Sequence, residues 1–261
     1  MNLYRQITQH PARIWAGCCV LLFALILKLW FSSATPAQLC WLLGPIAKLI
    51  QLYTSVQFTF DPHLGYVNQQ LQIIIAPVCC GLNFMLIVLC MVAFQGIITL
   101  NSSQLWKWLL VTPLLAYTYT ILVNSVRIIL AIWLFKHHME AGWLTPERVH
   151  RLSGILIYYL MLLFLYNATT ILLEKIEQSA QTCSSQVLAL FPFFWYAGMT
   201  LVIPLLNRNS YTLRYWEHSA SILCMCIVLT TAYSLSRKLW QSYRSSGKHT
   251  NSHGQTPDLD C

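Results

Sequence analysis

A succession of long apolar runs separated by short polar segments constrains this chain more than any other feature. The runs cover residues 14–31, 78–100, 105–123, 152–173, 187–206 and 219–235. Each is close to the length an α-helix needs to cross a hydrocarbon layer of about 30 Å. Lipid offers no partner for backbone N–H and C=O groups, so such runs are predicted to be helices that satisfy their own hydrogen bonds. Only 9% of the residues are charged, against about 25% in soluble domains. A water-facing surface cannot be built from that supply. The predicted fold class is all-α, a polytopic transmembrane helix bundle of six to seven spans.

Residues 37–56 are apolar but hold Gly44-Pro45 and Lys48, and read as a broken span or a helix lying at the interface. Residues 57–76 are rich in turn formers and partly alternating, which predicts an extracytoplasmic loop or short hairpin. The helix beginning near Leu105 is expected to run on through Asn124 and Arg127 to Phe135, longer than a bilayer requires. Lys28 lies near one end of the first run, where its ammonium is expected to snorkel to the membrane surface. The tail from Arg237 is polar and basic and is expected to be disordered. With Arg237, Lys238, Arg244 and Lys248 it favours a cytoplasmic C-terminus. Five spans counted back from there put Cys79 outside the cytoplasm.

The formal charge of +8 sits at span ends and in the tail, where it reads as a topology determinant and not as a nucleic-acid surface. Ten cysteines fit neither a zinc site nor a secreted disulfide framework. No metal and no organic cofactor is implied. The acids Asp61, Glu140, Glu147, Glu174, Glu177 and Glu217 fall in loops or at span ends. That placement counts against proton-coupled transport, whose ionisable groups lie near the midplane. It also leaves no carboxylate for a Ser-His-Asp or aspartyl protease. No glycine-rich phosphate loop is present.

Three segments carry polar or reactive residues where apolar ones would suffice: 76–84 (APVCCGLNF), 124–128 (NSVRI) and 150–154 (HRLSG). Counting spans brings Cys79, Asn124 with Arg127, and His150 to one membrane face. A helix N-terminus and a nearby cation favour the thiolate of a cysteine. Histidine exchanges protons near neutral pH, and arginine supplies fixed donors for a developing oxyanion. Gly81 permits close backbone approach. Together these are the parts for covalent acyl transfer from a peptide bond. Each residue also has a plain reading: Cys79 and Cys80 as packing thiols or a redox pair, Arg127 at the interface, His150 as a solvated loop residue.

The set Cys79-Cys80-Gly81, Asn124-Ser-Val-Arg127-Ile128 and His150 before a span resembles the exosortase/archaeosortase family. The family's pattern is a Cys-x-Gly motif, a downstream Asn-x-x-Arg-Ile motif and a span-initiating histidine. Arg127 follows Cys79 by 48 residues and His150 follows Arg127 by 23. The resemblance covers about residues 10–175. It implies a transmembrane catalytic domain over 1–175; beyond the resemblance, the apolar runs and charge give an additional two-span region over 176–236 and a basic cytoplasmic tail over 237–261.

It implies further a cysteine transpeptidase of the bacterial inner membrane with Cys79, Arg127 and His150 as catalytic residues, supported by Gly81, Asn83 and Asn124. Cys79 is the cysteine in Cys-x-Gly register. The partners would be membrane lipid and exported proteins that end in a recognition motif, a transmembrane helix and a basic tail. Two other readings stay open: a thiol-redox membrane enzyme using Cys79-Cys80, and a non-enzymatic transporter or scaffold.

Overall fold

The structure is a computed structural model that describes residues 11–70, 73–136, 146–176, 185–206 and 213–250. Within them lie seven α-helices: α1 (Pro11–Ser33), α2 (Cys40–Thr54), α3 (Leu82–Thr99), α4 (Ser102–Lys136), α5 (Pro146–Ile176), α6 (Ser185–Leu206) and α7 (Leu213–Thr250). Five helical stretches are long and apolar enough to cross a membrane: Pro11–Ser33, Pro77–Thr99, Ser102–Leu134, Arg151–Ile176 and Ser219–Ser236. The described apolar stretch of α6, Leu190–Val202, is shorter. The chain is therefore an all-α, polytopic membrane helix bundle.

Helix α3 is the centre of the bundle. Its residues are apolar on every side, so it has no preferred outward face, and α1, α4, α5 and α6 all pack against it. The tightest of these contacts is made by a missing side chain. A Cβ on Gly96 would lie 2.2 Å from Cδ1 of Trp108, so only glycine lets α4 seat its indole there. Trp108 Nε1 then donates to the Val92 carbonyl at 3.0 Å. On the α5 side, buried Gln95 donates to the Tyr166 carbonyl and accepts from Thr169 at 2.7 Å. Interhelical hydrogen bonds of this kind hold helices together where lipid removes the hydrophobic drive. Outward-facing residues of α1 such as Leu22, Ile26 and Leu29 are exposed, as expected for a surface against hydrocarbon.

Two bonds fix the direction of α1 against α3. At one end Arg13 donates to the Leu100 carbonyl at 3.1 Å; at the other Lys28 donates to Asn83 Oδ1 at 3.0 Å. The helices are antiparallel, and the end bearing Lys28 is the end at which the turn holding Cys79 leads into α3.

Within residues 37–56 lies α2, 15 residues long with Pro45 inside it, which is too short to span alone. The following segment is a three-stranded antiparallel sheet in the order β1-β2-β3, with β1 Thr59–Asp61, β2 Gly65–Asn68 and β3 Ile73–Ile75. Its register pairs Phe60 with Tyr66 and Val67 with Ile74. The turn between β1 and β2 is closed by Asp61, whose carboxylate accepts the backbone N–H groups of His63 and Leu64 at 2.7 and 2.9 Å. The expected loop or hairpin is thus a small sheet, packed through β2 on α2.

Helix α7 continues past Arg237 to Thr250, where the sequence led us to expect disorder. No proline or glycine interrupts residues 237–246, so nothing breaks the backbone bonding of the helix there. Residues 251–261 of the expected tail lie outside the described residues.

Candidate active site

Of the residues singled out above, Cys79, Gly81, Asn83, Asn124 and Arg127 come together where α3 begins. Pro77 starts a single 3₁₀ turn, Pro77–Cys79, in which the Cys79 and Cys80 amides bond back to the carbonyls of Ala76 and Pro77 at 2.8 and 3.1 Å. Gly81 follows with φ +80°, a left-handed conformation that swings the chain into α3. A side chain there would be strained, and a Cβ would meet Cγ of Asn124 at 3.1 Å. Gly81 therefore serves both the turn and the close approach of α4.

Asn124 is fully buried and ties the turn to the helix behind it. Its Nδ2 donates to the Cys79 carbonyl at 2.6 Å. Its Oδ1 accepts the Tyr158 hydroxyl at 2.6 Å and lies at 3.5 Å from Arg127 Nη1, the limit of a hydrogen bond. Arg127 Nη1 also donates to the Tyr158 oxygen at 3.1 Å, with its guanidinium carbon 5.1 Å from the centre of the Tyr158 ring. Donation thus runs one way, from guanidinium to hydroxyl to amide to the Cys79 carbonyl. Each bond polarises the next in a low-dielectric setting. Asn124 and Arg127 are three residues apart on α4, hence on one face of it.

Helix α5 supplies the opposite side. Gly154 leaves room for Arg127: a Cβ would lie 2.9 Å from its Nε. One turn further, the Tyr158 ring stacks on Phe84 at 4.4 Å and 10°, so the first turn of α3 and the middle of α5 are held together by an aromatic pair. Tyr158 was not among the residues the sequence singled out. His150 is the fifth residue of α5, one residue before Arg151; its side chain lies outside the described residues.

Part of this group borders a cavity of about 820 Å³, whose lining includes Cys80 but neither Cys79 nor Asn124, within the usual range for a ligand site. Cys80, Gly81 and Asn83 wall it from the start of α3, Arg127 from α4, and Arg151, Gly154 and Tyr158 from α5. Lys28 closes it from α1, and Tyr196, Thr200 and Ile222 do so from α6 and α7. The last two helices, which sequence left without a role, are part of this wall. Lys28 departs from the sequence expectation. Its side chain is 7% exposed and its ammonium turns to the Asn83 side-chain oxygen at 3.0 Å. Cys79 is half-buried, and Cys79 and Cys80 both carry free thiols. Among the described residues no cluster of histidine, cysteine and acidic side chains has the form of a metal site.

Of the six residues the sequence put forward, the structure brings Cys79, Gly81, Asn83, Asn124 and Arg127 to this one region. Chemically, the arrangement offers Cys80 and the Arg127 guanidinium at the wall of a recess large enough for several residues of peptide, with Cys79 adjoining that wall in the preceding 3₁₀ turn. No family model, curated protein or solved structure matches the chain. The exosortase resemblance accordingly rests on the residues alone.

Proposed function

We propose that the protein is a membrane-embedded cysteine transpeptidase of the exosortase type. It would remove the C-terminal sorting signal of exported proteins and pass them to a surface acceptor. One observation carries this reading. The backbone of Cys79 and the guanidinium of Arg127 are joined through Asn124 in a single buried network beside the cavity. Packing cysteines and a snorkelling arginine would have no need of such a link.

In this reading the Cys79 thiolate attacks the scissile carbonyl carbon, and Arg127 meets the oxyanion that forms. The C–N bond then breaks, and the leaving amine takes a proton from His150. A thioester to Cys79 remains. An acceptor amine attacks it and gives its proton to His150; the Cys79 thiolate leaves, and a new amide is formed. The site would face away from the cytoplasm of a bacterial inner membrane, with the substrate helix lying in lipid beside the bundle and its basic tail left inside by the positive-inside preference.

The test co-expresses the enzyme with a protein encoded beside it that ends in a motif, a transmembrane helix and a basic tail. The C-terminus is followed by mass spectrometry. Wild type should shorten the partner, whereas Cys79→Ala, Arg127→Ala and His150→Ala should not, and Cys80→Ser should retain activity. An unshortened partner with wild type sinks the proposal. Equal loss in Cys79→Ser and Cys80→Ser would favour thiol-disulfide chemistry instead.

A further inference from the structure

The small sheet ends on an open edge. In the order β1-β2-β3, the strand Ile73–Ile75 has β2 as its one neighbour in the sheet. The register tells which way its backbone groups point. A Cβ on Gly65 would lie 2.5 Å from the Ile75 carbonyl oxygen, so that oxygen faces β2. The Val67 carbonyl accepts from Thr59 Oγ1 at 3.3 Å and therefore faces β1. Ile74 is the register partner of Val67. In an antiparallel ladder such a pair turns its N–H and C=O groups away from each other. The N–H and C=O of Ile74 thus point out of the sheet, along the edge that β3 leaves open, and Ile74 itself is exposed.

Open edges template pairing with another chain, and proteins blunt them with charge, proline or a bulge. The other edge strand, β1, ends in the charged Asp61. The three isoleucines of β3 carry no such device and pair with β2 in unbroken register. β-branched residues favour a further strand.

This edge leads to Cys79. Ala76 continues the extended chain, with φ −77° and ψ 164°. Residues two apart in an extended chain share an orientation, so the Ala76 carbonyl faces the same side as Ile74. That carbonyl accepts the Cys79 amide at 2.8 Å. The 3₁₀ turn therefore folds Cys79 back onto the open side of β3. A strand added there would lie about 4.8 Å from β3 and run lengthwise toward the cysteine.

We propose that β3 is a docking edge for an extended peptide, which joins the sheet as a fourth strand and is led by it to Cys79. What is recognised is main chain. The Ile74 N–H donates to a peptide carbonyl and the Ile74 carbonyl accepts a peptide N–H, the mode of strand addition. That the peptide is the segment beside the scissile bond rests on the transpeptidase reading above; the open edge does not.

The experiment uses the full chain in phosphatidylcholine nanodiscs. The probe is the C-terminal part of the neighbouring-gene partner, from the residues before its motif to its basic tail. With Cys79→Ala, which holds the probe uncleaved, amide hydrogen exchange at Ile74 should slow at least about tenfold when the probe is added, as a new hydrogen bond requires. In the active chain, Ile74→Pro removes an N–H that β2 does not use, a place where a sheet tolerates proline. Its kcat/KM for cleavage should fall at least about tenfold. Phe60→Pro is the matched control. Phe60 pairs with Tyr66, so its N–H also points outward, but on the edge away from Cys79, and cleavage should be kept.

Exchange at Ile74 that the probe does not slow overturns the proposal, whether or not Ile74→Pro folds. Wild-type cleavage by folded Ile74→Pro overturns it as well. Slowing that grows with protein concentration and needs no probe assigns the edge to a second copy of the chain, and overturns it too. Slowing by a probe that the wild-type enzyme never shortens would sink the transpeptidase reading and leave the docking edge standing.

Discussion

The Tyr158 hydroxyl stands between Arg127 and Asn124, accepting from Arg127 Nη1 at 3.1 Å and donating to Asn124 Oδ1 at 2.6 Å. It bonds both Asn124 and Arg127 of the α4 motif from another helix. Tyr158→Phe removes these two bonds and keeps the stack on Phe84. The expected loss of stability is about 1 kcal/mol, read as a small drop in thermal midpoint. Cleavage should fall much further than folding does, because Arg127 loses a fixed partner. Activity that tracks the fraction folded would show that Tyr158 serves packing only.

Asn124→Ala should do more damage to the fold. The residue is fully buried, and its removal strands the Cys79 carbonyl and the Tyr158 hydroxyl together. Buried groups left without partners cost about 1–3 kcal/mol each. Denaturation in mild detergent should show a loss of that order, with faster alkylation of Cys79 as the 3₁₀ turn loosens. An unchanged rate of alkylation would mean that the turn holds without the amide.

Gly96→Ala and Gly154→Ala offer a matched contrast. At Gly96 the new methyl would collide with Trp108 at 2.2 Å, far from the site, so stability should drop by about 1–3 kcal/mol. Trp108→Leu in the same chain should restore part of it. At Gly154 the methyl would meet Arg127 Nε at 2.9 Å and displace the guanidinium. Here cleavage should be lost with a smaller change in thermal midpoint. The reverse ordering of the two effects would contradict the packing described.

The β1–β2 turn should respond to acid. Asp61 is held below the usual carboxylate range by the backbone N–H groups of His63 and Leu64. A carboxyl whose folded pKa is depressed contributes stability above its unfolded value, about 3.9. That contribution is lost as pH falls from there through the lower folded value. Hydrogen exchange at His63 and Leu64 should therefore speed up below about pH 4 relative to the pH-corrected intrinsic rate. In Asp61→Asn that extra dependence should vanish.

What was legible in the sequence, and what was not, follows from the range of the interactions involved. The helices of the bundle were readable because a span is a local property of composition. The short α2 and the turn-rich stretch after it were readable from Pro45 and the turn formers around Asp61. Asn124 and Arg127 stood out because polarity inside an apolar run has no local explanation. Lys28 was misjudged because whether an ammonium turns out or in depends on Asn83, which lies 55 residues away. Tyr158 was missed among 13 tyrosines. A signal existed: it lies seven residues after Arg151 and four after Gly154, on the same face of α5. Nothing local distinguishes it from a tyrosine that faces lipid.

The wall of the 820 Å³ cavity draws on the first helix through Lys28 and on the last through Ile222. A nascent chain still threading from the ribosome has made Cys79, Arg127 and His150 long before it releases Ile222. Until the helix bearing Ile222 inserts, the recess lacks that side of its wall. Insertion of α7 is thus the event that encloses the pocket, and a molecule that had not yet placed it would hold the guanidinium without the full chamber around it.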